Sequence, residues 1–335
     1  MTPHGAAPPA RDRFAADTEP FRRELVAHCY RMTGSAHDAE DLVQEAYLRA
    51  WRSYDAFEGR ASVRTWLYTI ATNVCLTALR SRRPRLLPSG LGGAQEDPDR
   101  PPDLVGPGEV SWLEPLPDGW TDAPADDPAA TVVARESLRL ALIASLQHLP
   151  ARQRAIFLLR DVLAFSALET AAVLDASTAA VKSGLQRARA RLHEVAADAD
   201  ELLEPSDPRT RALLDGYVAA FERSDARLLE QVLRADAVLE ATPFRQWQAG
   251  RTMCVHVLRT FVLATAGDWR MVGVVANGQP AAAVYRRDPA GALRADGVVV
   301  LAPTATGIAR VVKFHDPALV PLFGLPDVLR GAGGA

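Results

Sequence analysis

The sequence predicts a multidomain chain: two all-α modules, at residues 10–83 and 131–196, followed by a C-terminal α+β domain at 205–330. Three observations predict it. Apolar residues recur at helical spacing in the first two segments. An acidic, Pro/Gly-rich linker at 84–130 separates them. Past Glu204-Pro205-Ser206-Asp207-Pro208, two helical patterns give way to a series of strand-like runs. A length of 335 residues suits two or three domains and is ample for real hydrophobic cores.

Composition narrows the class. Hydrophobic residues make up 48% and charged residues 24%, the balance of a soluble globular protein. No apolar run approaches the ~18–20 residues that span a bilayer. The start, Met1-Thr2-Pro3-His4-Gly5, has no basic segment followed by an apolar one, so we expect no export signal, no membrane association and a cytoplasmic protein. Cys29, Cys75 and Cys254 lie far apart with no C-x-x-C pair, which argues against a disulfide scaffold or a cysteine metal site. No metal and no cofactor are expected.

Charge is segregated. The net charge of −3 conceals a stretch, Leu86–Ala130, that carries −9, which leaves +6 for the remainder. Residues 60–85 hold six arginines and no acid, and residues 150–193 have a local excess of +4. Two basic modules joined by an acidic strap imply an anionic partner held at two points. The strap holds ten of the 24 prolines between residues 84 and 128 and shows no period, so it reads as unfolded. Trp112 and Trp120 are unusual in a linker and hint at docking.

In the first module, Phe21, Leu25, Cys29 and Met32 recur at helical spacing and Gly34 ends the run. A second helix follows from Ser35, with Leu42, Val43, Ala46, Leu48, Ala50 and Trp51 as apolar surface. A third runs from about Ser62 to Ser81 with a core stripe of Val63, Leu67, Ile70 and Val74. Beside that stripe stand Trp66, Thr69, Asn73, Thr77 and Arg80. An aromatic and polar face amid arginines is what unstacked bases and a phosphate backbone require. Trp66 could equally be a packing residue of the bundle.

In the second module, Leu138, Leu142, Leu146 and Leu149 form a stripe that Pro150 breaks, and a further helix carries Ala155, Ile156, Leu159 and Val162. Ser166-Ala167-Leu168-Glu169 is a capping box that opens a short helix to Leu174. The turn Asp175-Ala176-Ser177 leads into a basic helix, about 178–196. A short helix, a tight turn and a basic second helix read as a helix-turn-helix. Thr178, Ala179, Lys182 and Ser183 would then meet base edges, and Arg187 and Arg189 phosphates. An ordinary helical hairpin with a solvated basic face is the bland reading.

Together the modules resemble a known family. Asp38-Ala39-Glu40-Asp41-Leu42-Val43-Gln44-Glu45-Ala46-Tyr47-Leu48-Arg49-Ala50-Trp51 and Arg64-Thr65-Trp66-Leu67-Tyr68-Thr69-Ile70-Ala71-Thr72-Asn73 resemble region 2 of sigma-70 family factors of the extracytoplasmic-function (ECF) subgroup. Leu149-Pro150-Ala151-Arg152-Gln153-Arg154 and Val181-Lys182-Ser183-Gly184-Leu185-Gln186-Arg187-Ala188-Arg189 resemble region 4. The resemblance implies transcription initiation with core RNA polymerase, on promoter DNA that is duplex at one element and melted at the other. It implies that Asp38, Asp41, Leu42, Gln44 and Glu45 dock on the β′ clamp helices. Arg60, Arg64, Trp66, Tyr68, Thr69, Asn73, Thr77, Arg80, Arg82 and Arg83 would capture the −10 element and its non-template strand. The helix-turn-helix would read the −35 element, with region 4 also meeting the β flap. The linker would thread the polymerase cleft. It reaches at most ~150 Å and averages ~35–40 Å as a free coil, against ~70 Å between elements two DNA turns apart, so it must be stretched or held. Phe165 stands where many members carry a tryptophan-type residue, and the linker is longer than in minimal members.

The third segment has helices around Leu214–Phe221 and Leu228–Leu233. Strand runs follow at Ala237–Ala241, Met271–Ala276, Ala281–Arg287, Gly297–Ala302 and Ile308–Phe314, with a helix near Thr252–Ala264. Through Thr242-Pro243-Phe244-Arg245-Gln246-Trp247, Asn277-Gly278-Gln279-Pro280 and the tail Phe314–Pro326 it resembles the SnoaL-like superfamily, which implies an α+β cone with a pocket. Glu240, Trp247, His256, Asn277, Tyr285 and His315 are candidate pocket residues for a small-molecule ligand, although each has an ordinary structural reading. No H-x-x-x-H, G-x-S-x-G or P-loop lysine is present, so no catalytic residues are assigned. The expectation is a non-enzymatic initiation factor regulated in cis by this domain. The alternative is a SnoaL-type isomerase/cyclase-like enzyme or ligand sensor fused to a DNA-binding half.

Overall fold

The computed structural model describes residues 10–121, 136–195 and 202–329. The end of the acidic linker, with Asp122, Asp126 and Asp127, lies outside the described residues, as do residues 131–135, 196 and 330 of the expected domains. The chain divides into two compact units. The first comprises residues up to 83 with 119–137 and 145–195; the second comprises 84–118, 138–144 and 196 onwards.

The first unit is helical. Its N-terminal part holds α1 (Ala10–Thr18), α2 (Arg22–Thr33), α3 (Ala36–Ser53) and α4 (Val63–Ala78). Gly34 ends α2 at φ +71°, a left-handed cap where glycine has no Cβ penalty. Ser35 and Ser62 cap α3 and α4 by accepting the N–H groups of Asp38 (3.1 Å) and Thr65 (3.0 Å). Leu25, Met32, Val43, Leu67 and Val74 bury their side chains between these helices. Cys29 and Cys75 meet there with sulfurs 3.5 Å apart. Their shared bond and burial hold the Cys29 thiol well above its ordinary value, so the pair packs as small apolar groups.

After α5 (Leu140–Gln147) come α6 (Ala151–Phe157), which continues as a π turn over Leu158–Val162, α7 (Ala167–Val173) and α8 (Thr178–Val195). Ser166 and Glu169 form the capping box at α7. Asp175, at φ +47°, makes the turn between α7 and α8. Within this unit the two helical groups touch. Phe165 is buried with its ring 5.4 Å from Tyr68, and the Arg64 guanidinium lies over both rings. Buried Arg154 donates to the Met32 carbonyl and to Gln147 Oε1 (2.7 Å), and buried Arg31 donates to Ser137 Oγ (2.7 Å). Burial pushes both guanidinium groups down to about 10.

The second unit holds α9 (Pro208–Glu222), α10 (Ala226–Val232) and α11 (Arg251–Val257, continued by a π turn to Val262). These pack on a mixed sheet of β1 (Leu233–Thr242), β2 (Trp247–Ala249), β3 (Trp269–Ala276), β4 (Gln279–Arg287), β5 (Leu293–Thr304), β6 (Gly307–Phe314) and β7 (Val328–Leu329). The strand order is β2-β1-β6-β5-β4-β3, with β7 on β5; β1 and β6 run parallel and the other pairs antiparallel.

This corrects the expected cone. β2 and β3 are separate edges with no pairing between them, so the sheet is open. β2, only three residues long, offers little edge for closure. The core instead lies between one sheet face and the helices, where Tyr217, Phe221, Leu258, Met271, Val299 and Val311 meet.

The linker also departs from expectation. Residues 84–118 follow a defined path in the second unit and bury Leu87, Val105, Leu113 and Leu116. Each such side chain contributes about 1.5–3 kcal/mol of burial. The strap shows no period because these residues insert singly along an extended chain, so a pattern search finds nothing in it. Trp112 pairs with Leu86 in a short bridge within the strap.

Candidate functional site

Helix α3 turns Asp41, Gln44, Leu48 and Trp51 outward along one face. Leu48 is 52% exposed and Trp51 44%, an apolar surface that the core does not use. Leu42 faces the core, Asp38 pairs with Arg82 (2.6 Å), and Glu45 pairs with Arg49 (2.7 Å). The face therefore centres on Asp41, Gln44, Leu48 and Trp51. The last two were legible in the sequence as apolar positions outside the stripe of Leu42, Val43, Ala46 and Ala50.

Helix α4 divides its expected DNA residues in two. Asn73, Thr77 and Arg80 are exposed, and Trp66 and Thr69 half-buried, on one face. The Trp66 ring packs against Phe57 at 4.8 Å and faces Tyr54 at 6.3 Å, so an aromatic shelf flanks the polar stripe. Tyr68 is buried, with its hydroxyl on Glu24 (3.2 Å), and Arg64 pairs with the same carboxylate (2.8 Å). Those two side chains serve the interior of the unit. Arg60 pairs with Glu58 (3.0 Å), while Arg82 and Arg83 are exposed at the end of the basic stretch.

Helix α8 presents Thr178, Ala179, Lys182, Ser183 and Arg187 to solvent from its N-terminal half, while Val181, Leu185 and Ala188 face inward. Gly184 lets this helix approach α6: a Cβ there would stand 2.5 Å from Ile156 Cδ1. Arg189 is exposed but engaged by Asp161 through two bonds of 2.8 and 2.7 Å.

In the sheet domain, four of the six pocket candidates grip the linker. Asn277 Oδ1 accepts the Leu116 N–H (2.9 Å), the Asn277 N–H returns to the Leu116 carbonyl (2.9 Å), and Asn277 Nδ2 donates to the Leu138 carbonyl (2.8 Å). Glu240, fully buried, accepts the Ser89 N–H (2.8 Å) and pairs with Arg310. Trp247 Nε1 donates to the Gly92 carbonyl (2.8 Å), and His256 Nε2 lies 2.9 Å from the Asp99 carboxylate. Tyr285 bonds the Pro326 carbonyl in the tail (2.9 Å). Of the six, only His315 lines the apolar cavity enclosed between the helices and the sheet. Gln279, missed as a site residue, accepts the Leu140 N–H (2.9 Å), and Gln246 accepts that of Asp103 (2.8 Å).

The cavity, about 390 Å³, lies between α9, α11 and the inner sheet face. Its walls are apolar, from Tyr217, Phe221, Leu258, Trp269 and Met271, with a charged corner of Lys313, Asp296, Arg286 and His315. Lys313 Nζ is 2.8 Å from Asp296 Oδ2, and burial holds its ammonium below the ordinary lysine value. Asp296 is the extra residue of a bulge between the Val284–Gly297 and Tyr285–Ala295 pairs. Gly297 follows at φ +129°, where a Cβ would fall 1.9 Å from the Phe314 carbonyl, so only glycine fits. His315 Nδ1 bonds the Thr242 carbonyl (2.9 Å), and burial pushes the ring down to about 4. Lys313 was legible as a cation inside the strand run Val311-Val312-Lys313-Phe314. Asp296 was not, because a bulge leaves no signal in alternation. Among the described residues no cluster of three His, Cys, Asp or Glu side chains could hold a metal ion, and no helix is long and apolar enough to cross a membrane.

Residues 18–85 match the family model of sigma-70 region 2, and residues 139–192 that of sigma-70 region 4. The chain is 51% identical over 322 residues to the ECF RNA polymerase sigma factor SigG of Mycobacterium tuberculosis, an alignment covering 95% of this chain and 85% of that one. It is 33% identical over 222 residues to the ECF RNA polymerase sigma factor SigJ of the same organism, covering 66% and 62%. The crystal structure of SigJ superposes with a TM-score of 0.59 at 22% identity, covering 93% of this chain and all of that one, so the two share a fold.

Proposed function

Because the chain belongs to the ECF RNA polymerase sigma factors, which bind core RNA polymerase and recognise promoters rather than catalyse a reaction, we propose that its sheet domain controls that activity in cis by holding the linker. The observation that carries this reading is the grip of Asn277, Glu240, Trp247 and Gln246 on residues 89–116. A linker bonded to its own chain is withheld from the polymerase cleft. Sigma activity then requires its release, and the sheet domain acts as a brake.

The helical unit supports the same view. Phe165 against Tyr68 keeps the two DNA-reading modules in contact, whereas elements two turns apart on promoter DNA are ~70 Å distant. The modules must part to read both, so the arrangement described is a resting form. On polymerase, the exposed face of α3 suits the β′ clamp helices, and region 4 the β flap. The stripe from Trp66 to Arg80 suits the unstacked non-template strand of the −10 element. The N-terminal half of α8 suits the duplex −35 element.

Run-off transcription with purified core polymerase tests the brake. Asn277→Gly combined with Trp247→Phe removes two side-chain anchors of the linker, those on Leu116 and Gly92. Promoter-dependent output should rise several-fold while core binding is unchanged. Equal output from wild type and variant would reject control through the linker.

A further inference from the structure

We propose that the cavity of the sheet domain binds a small molecule with an apolar body and a single carboxylate-type head, and that the bound molecule tightens the hold on linker residues 102–105. The first half stands on the cavity alone; the regulatory meaning of the second rests on the linker reading above.

The volume, about 390 Å³, falls within the ~300–1,000 Å³ of ligand pockets. The walls specify the body. Phe221, Leu258, Trp269 and Met271 offer apolar surface and no acceptor.

The charged corner specifies the head. Lys313 and Arg286 carry two positive charges against the single carboxylate of Asp296, and His315 is neutral at physiological pH. Among the described residues no carboxylate pairs with Arg286, whose guanidinium lies 5.3 Å over the Trp269 ring. The Trp269 Nε1–H is buried without an acceptor. Asp296 Oδ2, without a hydrogen bond, faces the Lys313 ammonium; the groups left without either a hydrogen bond or an ion pair are the Trp269 donor and the Arg286 cation, so the complement is an acceptor carrying negative charge. The excess is one charge, which fits a monoanion rather than a phosphate dianion. Lys313 faces inward beside Val299 and Val311, held by Asp296 Oδ2 (2.8 Å) and by the carbonyls of Asp296 (3.1 Å) and Phe314 (3.4 Å), so its positive charge is fixed at the cavity wall.

The coupling follows from shared walls. Pro102 of the linker is itself part of the lining. Leu104 pairs with Phe244, and the Asp103 N–H bonds Gln246; both Phe244 and Gln246 face the cavity. A ligand touching Pro102 makes that contact only when the linker is docked, so each favours the other by the same factor.

Anilinonaphthalene sulfonate, an aromatic monoanion, serves as the fluorescent probe on the full chain, with decanoate and decanol as competitors. Decanoate should displace the probe at least tenfold more effectively than decanol. Lys313→Met, and separately Arg286→Gln, should each weaken decanoate at least tenfold. Arg286→Gln changes an exposed residue and keeps the domain folded, so a fold defect in the Lys313 variant cannot decide the matter. Saturating decanoate should slow amide exchange over residues 102–106 at least fivefold in wild type and not in the variants. Equal competition by decanol, or unchanged affinity in Arg286→Gln, overturns the carboxylate site. Binding without slowed exchange overturns the coupling. The Asn277 and Trp247 transcription result judges the brake separately, since neither residue lines the cavity.

Discussion

The side-chain oxygen of Asn277 accepts the backbone N–H of Leu116 at 2.9 Å, joining residues 161 positions apart. The pairing is reciprocal, since the Asn277 N–H returns to the Leu116 carbonyl. Asn277 sits at φ +58°, a left-handed conformation that asparagine tolerates better than most residues. One residue thus makes the β3–β4 turn and anchors the strap.

Asn277→Gly keeps the turn and deletes the side chain. The Leu116 N–H loses its acceptor and the Leu138 carbonyl a donor, a loss of about 1–3 kcal/mol if both stay buried. Amide exchange over residues 112–118 should accelerate about tenfold or more, while α2 and α4 are unaffected. Hydrogen exchange by mass spectrometry checks both halves. Asn277→Ala should be worse for the domain, because alanine adds left-handed backbone strain to the same loss.

Gly297→Ala should be the most damaging single methyl in the sheet domain. Its Cβ would meet the Phe314 carbonyl at 1.9 Å and the Asp316 nitrogen at 2.9 Å, both backbone atoms. Relief requires the bulge to open, which displaces Asp296 from Lys313. We expect a destabilisation of about 3 kcal/mol or more, together with loss of the cavity's charged corner. Thermal unfolding and probe binding on one preparation measure the two effects. Gly184→Ala is the contrast: its neighbour is the flexible tip of Ile156, which can rotate away, so the cost there should be smaller.

The helical unit was legible because its signals are local. Gly34, Ser35, Ser62 and the Ser166–Glu169 box each mark an end of a helix by chemistry that acts within four residues. The strand runs at Met271, Ala281 and Ile308 were legible by the same locality. Sheet closure was not, since pairing between β2 and β3 would be a long-range event that no residue run encodes. The docked linker was hidden for a related reason: Leu113 and Leu116 find their surroundings in residues more than a hundred positions away. Asn277 and Trp247 were read from the sequence as candidate pocket residues, but neither lines the cavity. Their partners proved to be linker backbone, which carries no side-chain pattern to read.

His28 predicts the acid limb of stability in the helical unit. Its ring is fully buried, bonded to Thr72 Oγ1 (2.9 Å) and edge-on to Tyr68. Burial first, and Arg31 second, push it from 6.5 down to about 3. The unfolded chain therefore binds a proton below about 6.5 that the folded chain refuses until about 3. Unfolding takes up that proton, so stability is full above 6.5 and falls as pH drops through the window, by about 1 kcal/mol per pH unit. His28→Gln keeps a partner for Thr72 and does not titrate. Denaturant unfolding at pH 7 and pH 4.5 should show a smaller acid loss in this variant, and an equal loss would exclude His28 as its source.

Two cations on α8 separate duplex contact from self-contact. Lys182 is exposed and has no ion pair among the described residues, whereas Arg189 is held by both oxygens of Asp161. A phosphate gains a contact from Lys182 at the cost of desolvating one ammonium. From Arg189 it must first displace a carboxylate held through two bonds. Lys182→Ala should therefore weaken binding to a −35 duplex and reduce the salt slope by about one counterion, at every sequence if it meets phosphate. If Lys182 instead reads a base edge, the loss should be about 1–3 kcal/mol and confined to the preferred base. Arg189→Ala should change the salt slope less than Lys182→Ala does. Its main effect should be on the packing of α8 against the turn after α6, read as a lower melting temperature. Salt titrations of duplex binding across a set of −35 sequences distinguish these outcomes. A larger slope change for Arg189 than for Lys182 would mean that the Asp161 pair opens on DNA and that the arginine, not the lysine, is the principal phosphate contact.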